Sequence, residues 1–247
     1  MKIPFVFLLL YLLSSIVRAE AEKKVIDGVT YHILRVPVEE VRIFWKDGEG
    51  KQRRTFPEVA GYFDKEGVEL RTLMNGGIFE PGGVPSGLLV QDGKTLLPVN
   101  RKPGNGNFFL MPNGIFLIGS QGAAVIRTDE YPLEGVEVKY AVQSGPLLLR
   151  EGRVHPAFNA GSSSRLHRNG VGVAKNGEIV MAMSDFHSKK FPNLYEFAEL
   201  FRSLGCEDAL FLDGDISQMR SGADMRKQSN SFGSVFVVVG SLRSSGE

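Results

Sequence analysis

An acidic residue follows a short apolar run near the C-terminal end of the chain. The run Ala209-Leu210-Phe211-Leu212 stops at Asp213-Gly214. An apolar run of this length predicts one buried strand, and ligands collect beyond the carboxyl ends of strands in open α/β sheets. Gly214 allows a tight turn and a close approach of the backbone to a ligand. Asp213 is therefore the first candidate catalytic residue, with the cap of an ordinary Asp-Gly turn as the alternative interpretation.

The same pattern, an apolar strand followed by glycines and a polar side chain, occurs at two earlier places. Residues 70–74 lead into Asn75-Gly76-Gly77, and residues 140–142 lead into Gln143-Ser144-Gly145-Pro146. If the three strand ends meet, Asn75, Gln143 and Asp213 line one concave site. The alternative is three ordinary turns.

Two arginines lie in a stretch that is rich in small hydroxyl side chains, residues 162–172. The planar guanidinium group matches the oxygens of a phosphate, and hydroxyl and backbone N–H groups can complete the shell. Arg165 and Arg168 are therefore candidate oxyanion ligands, and a solvated basic loop is the alternative. Residues 179–184 next predict a strand that ends at Asp185, the second candidate carboxylate.

Several other chemistries lack their motifs. The sequence has no Gly-x-Gly-x-x-Gly helix start, no Walker-type loop and no Gly-x-Ser-x-Gly elbow, which disfavours a serine-dependent esterase. The four histidines lack the spacing of zinc ligands. The 29 Lys and Arg residues nearly balance the 28 Asp and Glu residues, so no global positive field favours nucleic acid as a partner.

The elements that must position these residues are mostly strands. Two helices are predicted. The first, residues 55–67, starts at a Thr-x-x-Glu capping box, and the second runs from a cap at Asn193 to a stop at Gly205. Residues 25–34 are expected to form one strand that pairs with residues 41–45. Because helices and strands do not alternate, the sequence predicts a strand-rich α+β fold with few helices. Its length and composition suit one sizeable domain or at most two small ones.

The first 19 residues differ in composition from the rest. Lys2 precedes an apolar run, and Val17-Arg18-Ala19 fits the small-residue site of a signal peptidase. We expect residues 1–19 to be a signal peptide, the mature chain to start near Glu20, and the protein to be periplasmic or secreted. Once the leader is removed, no stable membrane insertion is expected, and an uncleaved anchor is the alternative.

Six motifs also resemble a known family. They are Asn75-Gly76-Gly77-Ile78-Phe79, Gly106-Asn107-Phe108-Phe109 with Pro112-Asn113-Gly114, Gln143-Ser144-Gly145-Pro146, Gly152-Arg153-Val154-His155-Pro156-Ala157-Phe158, Arg168-Asn169-Gly170-Val171-Gly172 and Leu212-Asp213-Gly214. Together and in this order they are similar to the phosphodiester glycosidase family, whose relatives include the enzyme that uncovers mannose 6-phosphate. The resemblance covers most of the chain after the leader, and it implies a single mixed-sheet domain of the phosphodiester glycosidase type over residues 25–247.

The resemblance implies hydrolysis of a sugar 1-phosphodiester, such as one of N-acetylglucosamine, in cell-surface or exopolysaccharide metabolism. The leaving group would be a phosphate monoester, so little general acid catalysis is needed, and an oxocarbenium-like transition state must be stabilised. Asp213 suits the role of base or nucleophile, and Asp185 that of second carboxylate. The implied substrate-binding residues are Asn75, Gly76, Gln143, Ser144, Gly145, Arg165, Arg168, Gly214 and Ser217.

Two points are left open by the sequence. The reaction needs no cofactor, and no metal site is predicted because two acids, Asp213 and Asp215, fall short of a calcium shell, although a cation near them is an alternative. Animal relatives carry small residues where this chain has Asp215-Ile216-Ser217. An added carboxylate can repel phosphate, so a non-catalytic module that binds glycan or phosphoglycan in the same cleft is the competing hypothesis.

Overall fold

Eighteen strands and two α-helices make up the part of the chain that the computed structural model describes, residues 21–240. In chain order the strands are β1 (Glu22–Ile26), β2 (Val29–Val36), β3 (Val41–Phe44), β4 (Leu70–Asn75), β5 (Phe79–Glu80), β6 (Val84–Pro85), β7 (Leu89–Gln91), β8 (Lys94–Leu97), β9 (Gly114–Gly119), β10 (Gly122–Arg127), β11 (Val138–Ser144), β12 (Leu147–Arg150), β13 (Arg153–Val154), β14 (Asn169–Ala174), β15 (Ile179–Ser184), β16 (Cys206–Asp213), β17 (Met219–Ser221) and β18 (Val235–Val239). The predicted leader, residues 1–19, lies outside the described residues.

Both α-helices form where the sequence predicted them. Helix α1 (Phe56–Lys65) is capped by Thr55, and helix α2 (Leu194–Ser203) by Asn193. Each cap side chain accepts a hydrogen bond from the backbone N–H three residues later, and a glutamate there accepts one from the N–H of the cap residue. Gly205 follows α2 with a φ of +83°, a left-handed conformation that glycine adopts without strain.

The strands form four sheets. Their orders are β1-β2-β15-β14-β16-β12-β13, β10-β9-β11-β7-β8, β17-β4-β18-β3 and β5-β6. Neighbouring strands are antiparallel in every described pair, whereas the family resemblance implied mixed strand directions. The α+β class with many strands and few helices is confirmed.

The three larger sheets share one central core, and each helix covers an outer face. Leu34, Phe116 and Phe236 come from the three sheets and are fully buried in this core. On the other face of the seven-stranded sheet, Phe197 and Phe201 of α2 are buried. Successive side chains of a strand point to opposite faces, and here both sets are apolar, so both faces of this sheet are buried. Polar residues appear where its strands end.

The strand expected over residues 25–34 is instead a hairpin. Asp27 and Gly28 have φ values of +48° and +80° and connect β1 to β2, with Ile26 opposite Val29. An Asp-Gly pair between two strands is a strong signal for such a two-residue turn. The expected partner, β3, pairs with β18 in the four-stranded sheet. The prediction was therefore wrong in both the number of strands and their pairing.

The order of the seven-stranded sheet brings two strand ends to one edge. Strand β14 is antiparallel to both β15 and β16, so these two run in the same direction. Met183 and Asp213 both lie opposite Asn169 on β14, which places their Cα atoms about 10 Å apart, two strand spacings. The edge that carries Asp185 and Asp213 is the edge at which the sequence predicted a site.

No helix within residues 21–240 has the length and apolar character needed to cross a membrane.

Candidate functional site

A cleft of about 720 Å³ opens where β15 and β16 end. His32, His167 and Asp185 line it from the seven-stranded sheet. Asp215 and Arg220 line it from the chain that follows β16. The other lining residues are Ala21, Met183, Phe186, His187, Ser217, Gln218, Met219, Ser221, Asp224 and Asn230. The cleft therefore has acidic, basic and aromatic groups around one space.

A relay of buried amides ties the end of β16 to the end of β4. The Asn169 amide nitrogen donates to the backbone carbonyl of Asn75 (2.8 Å) and to its side-chain oxygen (3.0 Å). The Asn169 side-chain oxygen accepts from the backbone N–H of Asp213 at 2.8 Å. The Asn75 side-chain oxygen also accepts from the N–H of Gln218, again at 2.8 Å. Asn75 and Asp213, two of the predicted site residues, are thus held together through Asn169.

The Asp213 carboxyl is half-buried beside the cleft, whose lining includes Asp215 two residues later but not Asp213 itself, and its pKa is raised. Burial raises the pKa to about 6, Asp215 adds to this effect through its negative charge, and a hydrogen bond from the Gly214 N–H at 2.7 Å opposes it. A carboxyl with this pKa exchanges a proton near neutral pH, which is what a general acid or base requires.

Asp185 has the opposite electrostatic behaviour. Burial by itself raises its pKa, but hydrogen bonds from Lys23, the His187 N–H and His32 outweigh that effect and lower the pKa to about 2. Its two oxygens lie 2.7 Å from Lys23 Nζ, 3.1 Å from His32 Nε2 and 2.8 Å from the His187 nitrogen. Asp185 is therefore a fixed anion at neutral pH. Two carboxyls on one edge, with pKa values driven apart by their surroundings, are the usual pattern of divided catalytic roles.

His167 fixes the loop on the other side of the cleft. Its Nε2 lies 2.8 Å from the Ser217 carbonyl oxygen, so that nitrogen donates, and Nδ1 lies 2.9 Å from the Ser184 hydroxyl. Burial lowers the pKa of His167, which favours the neutral ring. The hydroxyl of Ser217, a predicted substrate-binding residue, is buried and has no hydrogen-bond partner within residues 21–240.

Other predicted residues stand beside the Asp213 turn in supporting positions. The Ser144 hydroxyl donates to the Leu212 carbonyl at 3.0 Å. A Cβ added at Gly76 would lie 2.2 Å from Ser234 Oγ, and one at Gly145 would lie 2.7 Å from the Phe108 carbonyl, so both glycines are needed for close packing. A Cβ at Gly214 would meet nothing nearer than 3.8 Å, which shows open space beside this turn.

Of the predicted site residues, Asp185 and Ser217 line the cleft and the others do not. Three of the others have side chains that are engaged elsewhere. The Gln143 side chain is fully buried and bonds the backbone of Leu88 and Asn100, so it holds two loops. Arg165 forms an ion pair with Glu196 on α2. Arg168 is buried and donates to backbone carbonyls. The expectation that Asn75, Gln143, Arg168 and Asp213 share one pocket does not match their observed placement, because none of the four lines the cleft. Asn75 and Asp213 are close to each other through Asn169.

Several residues of the site were not assigned by sequence reasoning. Asn169 belongs to a motif that was recognised, but its role as the link between Asn75 and Asp213 needs the sheet register. His32 and His167 were set aside because they lack zinc-ligand spacing. Arg220 has no motif around it. Within residues 21–240, no group of three or more His, Cys, Asp or Glu side chains is arranged to hold a metal ion.

Comparisons with known proteins place the chain in a recognisable group. The model of the phosphodiester glycosidase family matches residues 69–238. The chain is 32% identical over 182 residues to the uncharacterized protein YigE of Escherichia coli (strain K12), a match that covers 73% of this chain and 69% of that protein.

Solved structures share the fold at low sequence identity. The catalytic domain of zebrafish N-acetylglucosamine-1-phosphodiester alpha-N-acetylglucosaminidase, auto-inhibited by its pro-peptide, matches with a TM-score of 0.64 and 18% identity over 89% of this chain and 81% of that chain. A hypothetical protein from Synechocystis gives 0.55 and 15%, over 89% of this chain and 61% of that chain. A putative exported protein from Burkholderia pseudomallei K96243 gives 0.54 and 12%, over 86% and 74%.

Proposed function

Because the chain belongs to the phosphodiester glycosidase family, we propose that it hydrolyses a sugar 1-phosphodiester, of the N-acetylglucosamine-1-phosphodiester class. The reaction is placed at the ends of β15 and β16, where Asp185 lines the cleft and the Asp213-Gly214 turn lies beside it. The observation that carries the proposal is the pair of carboxyls on one sheet edge, Asp213 with a pKa of about 6 and Asp185 with a pKa of about 2. Retaining and inverting glycosidases both use two carboxyls in different protonation states.

The two carboxyls have different parts in the proposed reaction. Asp213, which ionises near neutral pH, acts as the base that activates water or as the nucleophile at the anomeric carbon. Asp185 remains ionised, and its negative charge stabilises the positive charge that develops on the sugar in the transition state. Cleavage of the bond between the anomeric carbon and oxygen releases a phosphate monoester, which leaves readily without a strong general acid.

Arg220 is the group best placed to hold the phosphate. It lines the cleft, and its described hydrogen bond is a long one, from Nη1 to the Asp224 carbonyl oxygen at 3.4 Å. Among residues 21–240, Arg220 forms no ion pair with Asp224, whose carboxylate is paired with Lys227 at 2.6 Å, or with Asp185. The pKa of the Asp224 carboxyl is lowered mainly by the hydrogen bond from Lys227, and the charge of Arg220 helps to lower it at longer range. A half-buried guanidinium that has no carboxylate in ion-pair contact, in the part of the chain that the structure describes, is suited to bind phosphate oxygens through two N–H groups.

Phe186 offers a surface for the sugar. Its ring is 65% exposed at the mouth of the cleft, with the rings of His167 and His187 at centroid distances of 5.7 and 5.6 Å. An exposed aromatic ring beside polar groups is a suitable platform for the apolar face of a pyranose. Phe186 and Arg220 both line the cleft, so we place the sugar on Phe186 and the phosphate at Arg220.

The direct test is turnover of a chromogenic N-acetylglucosamine 1-phosphodiester by the purified protein. Release of the phosphate monoester and of the free sugar in equal amounts is the expected result. Saturable binding of the substrate with no hydrolysis between pH 5 and 8 would favour the competing function, a non-catalytic module that binds phosphoglycan.

Arg220→Ala is expected to raise KM about tenfold to a hundredfold and to leave kcat nearly unchanged, because a hydrogen bond to a charged group contributes about 1.5–3 kcal/mol and is present in substrate and transition state alike. Steady-state kinetics with one substrate measure both constants. Arg226→Ala is the matched control, since Arg226 comes from the same segment but pairs with Asp64 outside the cleft. An unchanged KM in Arg220→Ala would move the phosphate elsewhere.

We also propose that the protein acts after export, in the periplasm or outside the cell, with its leader removed. The support is the composition of residues 1–19 and the small-residue site at Ala19. Expression of the full sequence in a bacterial host and intact-mass measurement of the exported fraction should give a chain that starts near Glu20. A membrane-bound product that retains Met1 would contradict the proposal.

A further inference from the structure

A second, smaller depression lies on the other side of the chain segment that supplies His167. It has a volume of about 140 Å³, and its lining consists of Leu110, Ala157, Phe158, Asn159, Ser162, Ser164, Arg168, Leu194 and Tyr195. None of these residues lines the cleft described above. His167 and Arg168 are neighbours in sequence, and successive side chains of an extended chain point to opposite sides. We call this depression the Arg168 pocket.

Arg168 is a buried cation with unused hydrogen-bond donors. It is 2% exposed, its Nε and Nη2 each donate to a backbone carbonyl at 3.2 Å, of Pro192 and Ser164 respectively, and its guanidinium lies 5.6 Å from the centre of the Phe211 ring. A guanidinium has five N–H groups. Three of them have no acceptor, and Arg168 forms no ion pair, within residues 21–240.

Burial makes the charged form of Arg168 less favourable than it is in water. Burial lowers its pKa to about 10, and Asp215 and Tyr31 oppose that shift only through longer-range electrostatic effects. Arg168 therefore remains charged at neutral pH. A buried charge without a counter-charge is strongly unfavourable, so an anion in contact with its free N–H groups would remove much of this cost. The nearby glutamate on α2, Glu196, is already paired with Arg165.

The start of α2 points to the same kind of ligand independently. Leu194 and Tyr195, the first two residues of this ten-residue helix, line the pocket. Asn193 caps the N–H of Glu196, and the N–H groups of the first two residues have no acceptor in their own helix. They carry the partial positive charge of the helix N-terminus, which favours anions. The hydroxyls of Ser162 and Ser164 add further donors.

We propose that the Arg168 pocket binds a small tetrahedral oxyanion of the phosphate class, at a site separate from the cleft. Its volume is well below the 300–1,000 Å³ of pockets that enclose whole organic ligands, so the pocket accepts the phosphate group and not a sugar ring. The charge, the fork of free N–H groups and the helix N-terminus all match such an anion. The proposal does not depend on the reaction proposed for the cleft.

Crystals soaked in sodium selenate test the proposal directly. The expected result is an anomalous peak within hydrogen-bond distance of Arg168. Absence of that peak from crystals in which the pocket is open to solvent would overturn it. A parallel soak with N-acetylglucosamine 1-phosphate distinguishes the two sources of phosphate. Its phosphate should bind in the cleft, and a sugar phosphate that instead placed its phosphate at Arg168 would show that the two sites are one.

Thermal unfolding gives a readout in solution that needs no turnover. At a tenfold excess of inorganic phosphate over its dissociation constant, the melting temperature of the wild type should rise by about 3–6 °C relative to chloride at equal ionic strength. Arg168→Gln should abolish the shift, and Arg165→Gln should retain it.

Because Arg168→Gln removes a buried group and could unfold the protein, Ala157→Glu is the second variant. Ala157 is exposed on the pocket lining, and a carboxylate there should repel the anion. An undiminished shift in Ala157→Glu would overturn the proposal.

Discussion

Asp213→Asn is expected to lower kcat by about a hundredfold or more while the protein stays folded and binds its substrate. The amide keeps the shape of the carboxyl and can still accept the hydrogen bond from the Gly214 N–H, but it cannot take a proton or attack the anomeric carbon. The loss should therefore fall on kcat and not on KM. Steady-state kinetics with a chromogenic sugar 1-phosphodiester measure the two constants separately.

The matched control lies on the same strand. Asp208 begins the apolar part of β16 and pairs with Arg150 at the far end from the cleft, so Asp208→Asn should leave both constants unchanged. If Asp213→Asn retains the wild-type kcat, the chemistry does not depend on Asp213, and Asp185→Asn and Asp215→Asn become the next variants to measure.

The pH dependence provides an independent check on the role of Asp213. With a folded pKa of about 6, a base or nucleophile is active only when ionised, so kcat should fall as the pH is lowered through about 6. Loss of activity as the pH rises through the same value would instead identify Asp213 as a general acid.

The same raised pKa affects stability in a defined direction. In the unfolded chain Asp213 has its ordinary pKa of 3.8, so between about pH 4 and 6 the folded state binds more protons than the unfolded state. Ionisation of Asp213 thus lowers the unfolding free energy as the pH rises through this window. Asp213→Asn lacks that loss and should gain stability relative to the wild type from pH 4 to pH 6.

Local sequence signals located the helices and the strand ends correctly. The capping residues Thr55 and Asn193 and their reciprocal glutamates specify where each helix starts, because those contacts span only three residues. The change from apolar residues to Asp185 and to Asp213 marks the ends of β15 and β16. These signals depend on near neighbours in the chain, so the sequence alone is enough to read them.

The side chains that share one pocket could not be predicted in the same way. A shift of one residue along a strand moves a side chain to the opposite face of the sheet. Ser144 reaches the Leu212 carbonyl, whereas Gln143 beside it bonds two loops on the other face. The register between β14 and β16 also shifts at Asn169 and Gly170, and such an irregularity redirects side chains without a clear signal in the sequence.

The hairpin at Asp27-Gly28 shows how one missed turn changes a site. The single strand predicted over residues 25–34 leaves Lys23 outside any element, whereas the hairpin places Lys23 opposite His32. Both side chains then reach Asp185 and contribute to its low pKa. The electrostatic difference between Asp185 and Asp213 therefore depends on a pairing of distant segments, which composition and spacing did not reveal.

The second large effect is expected at Asn169, which we regard as a positioning residue. Asn169→Leu keeps the volume but leaves the Asp213 N–H and the Asn75 carbonyl without their buried partners. Each unsatisfied buried group costs about 1–3 kcal/mol, so the unfolding free energy should fall by about 2–5 kcal/mol. Urea unfolding measures this loss. Asn176→Leu is the control, because the described hydrogen bonds of Asn176 join it to Glu178 in an exposed turn, and its loss should change stability little.

A purely structural role for Asn169 would affect stability alone, so Asn169→Asp supplies a separate readout. The carboxylate still accepts from the Asp213 N–H but adds a negative charge close to the Asp213 carboxyl. A like charge disfavours ionisation, so the pKa of Asp213 should rise further and the acidic limb of the kcat profile should move to higher pH. An unmoved limb in a folded Asn169→Asp protein would mean that Asp213 does not govern the reaction. If the acidic limb does move, Asn169 influences catalysis through the pKa of Asp213, whose backbone N–H is hydrogen-bonded to the Asn169 side chain.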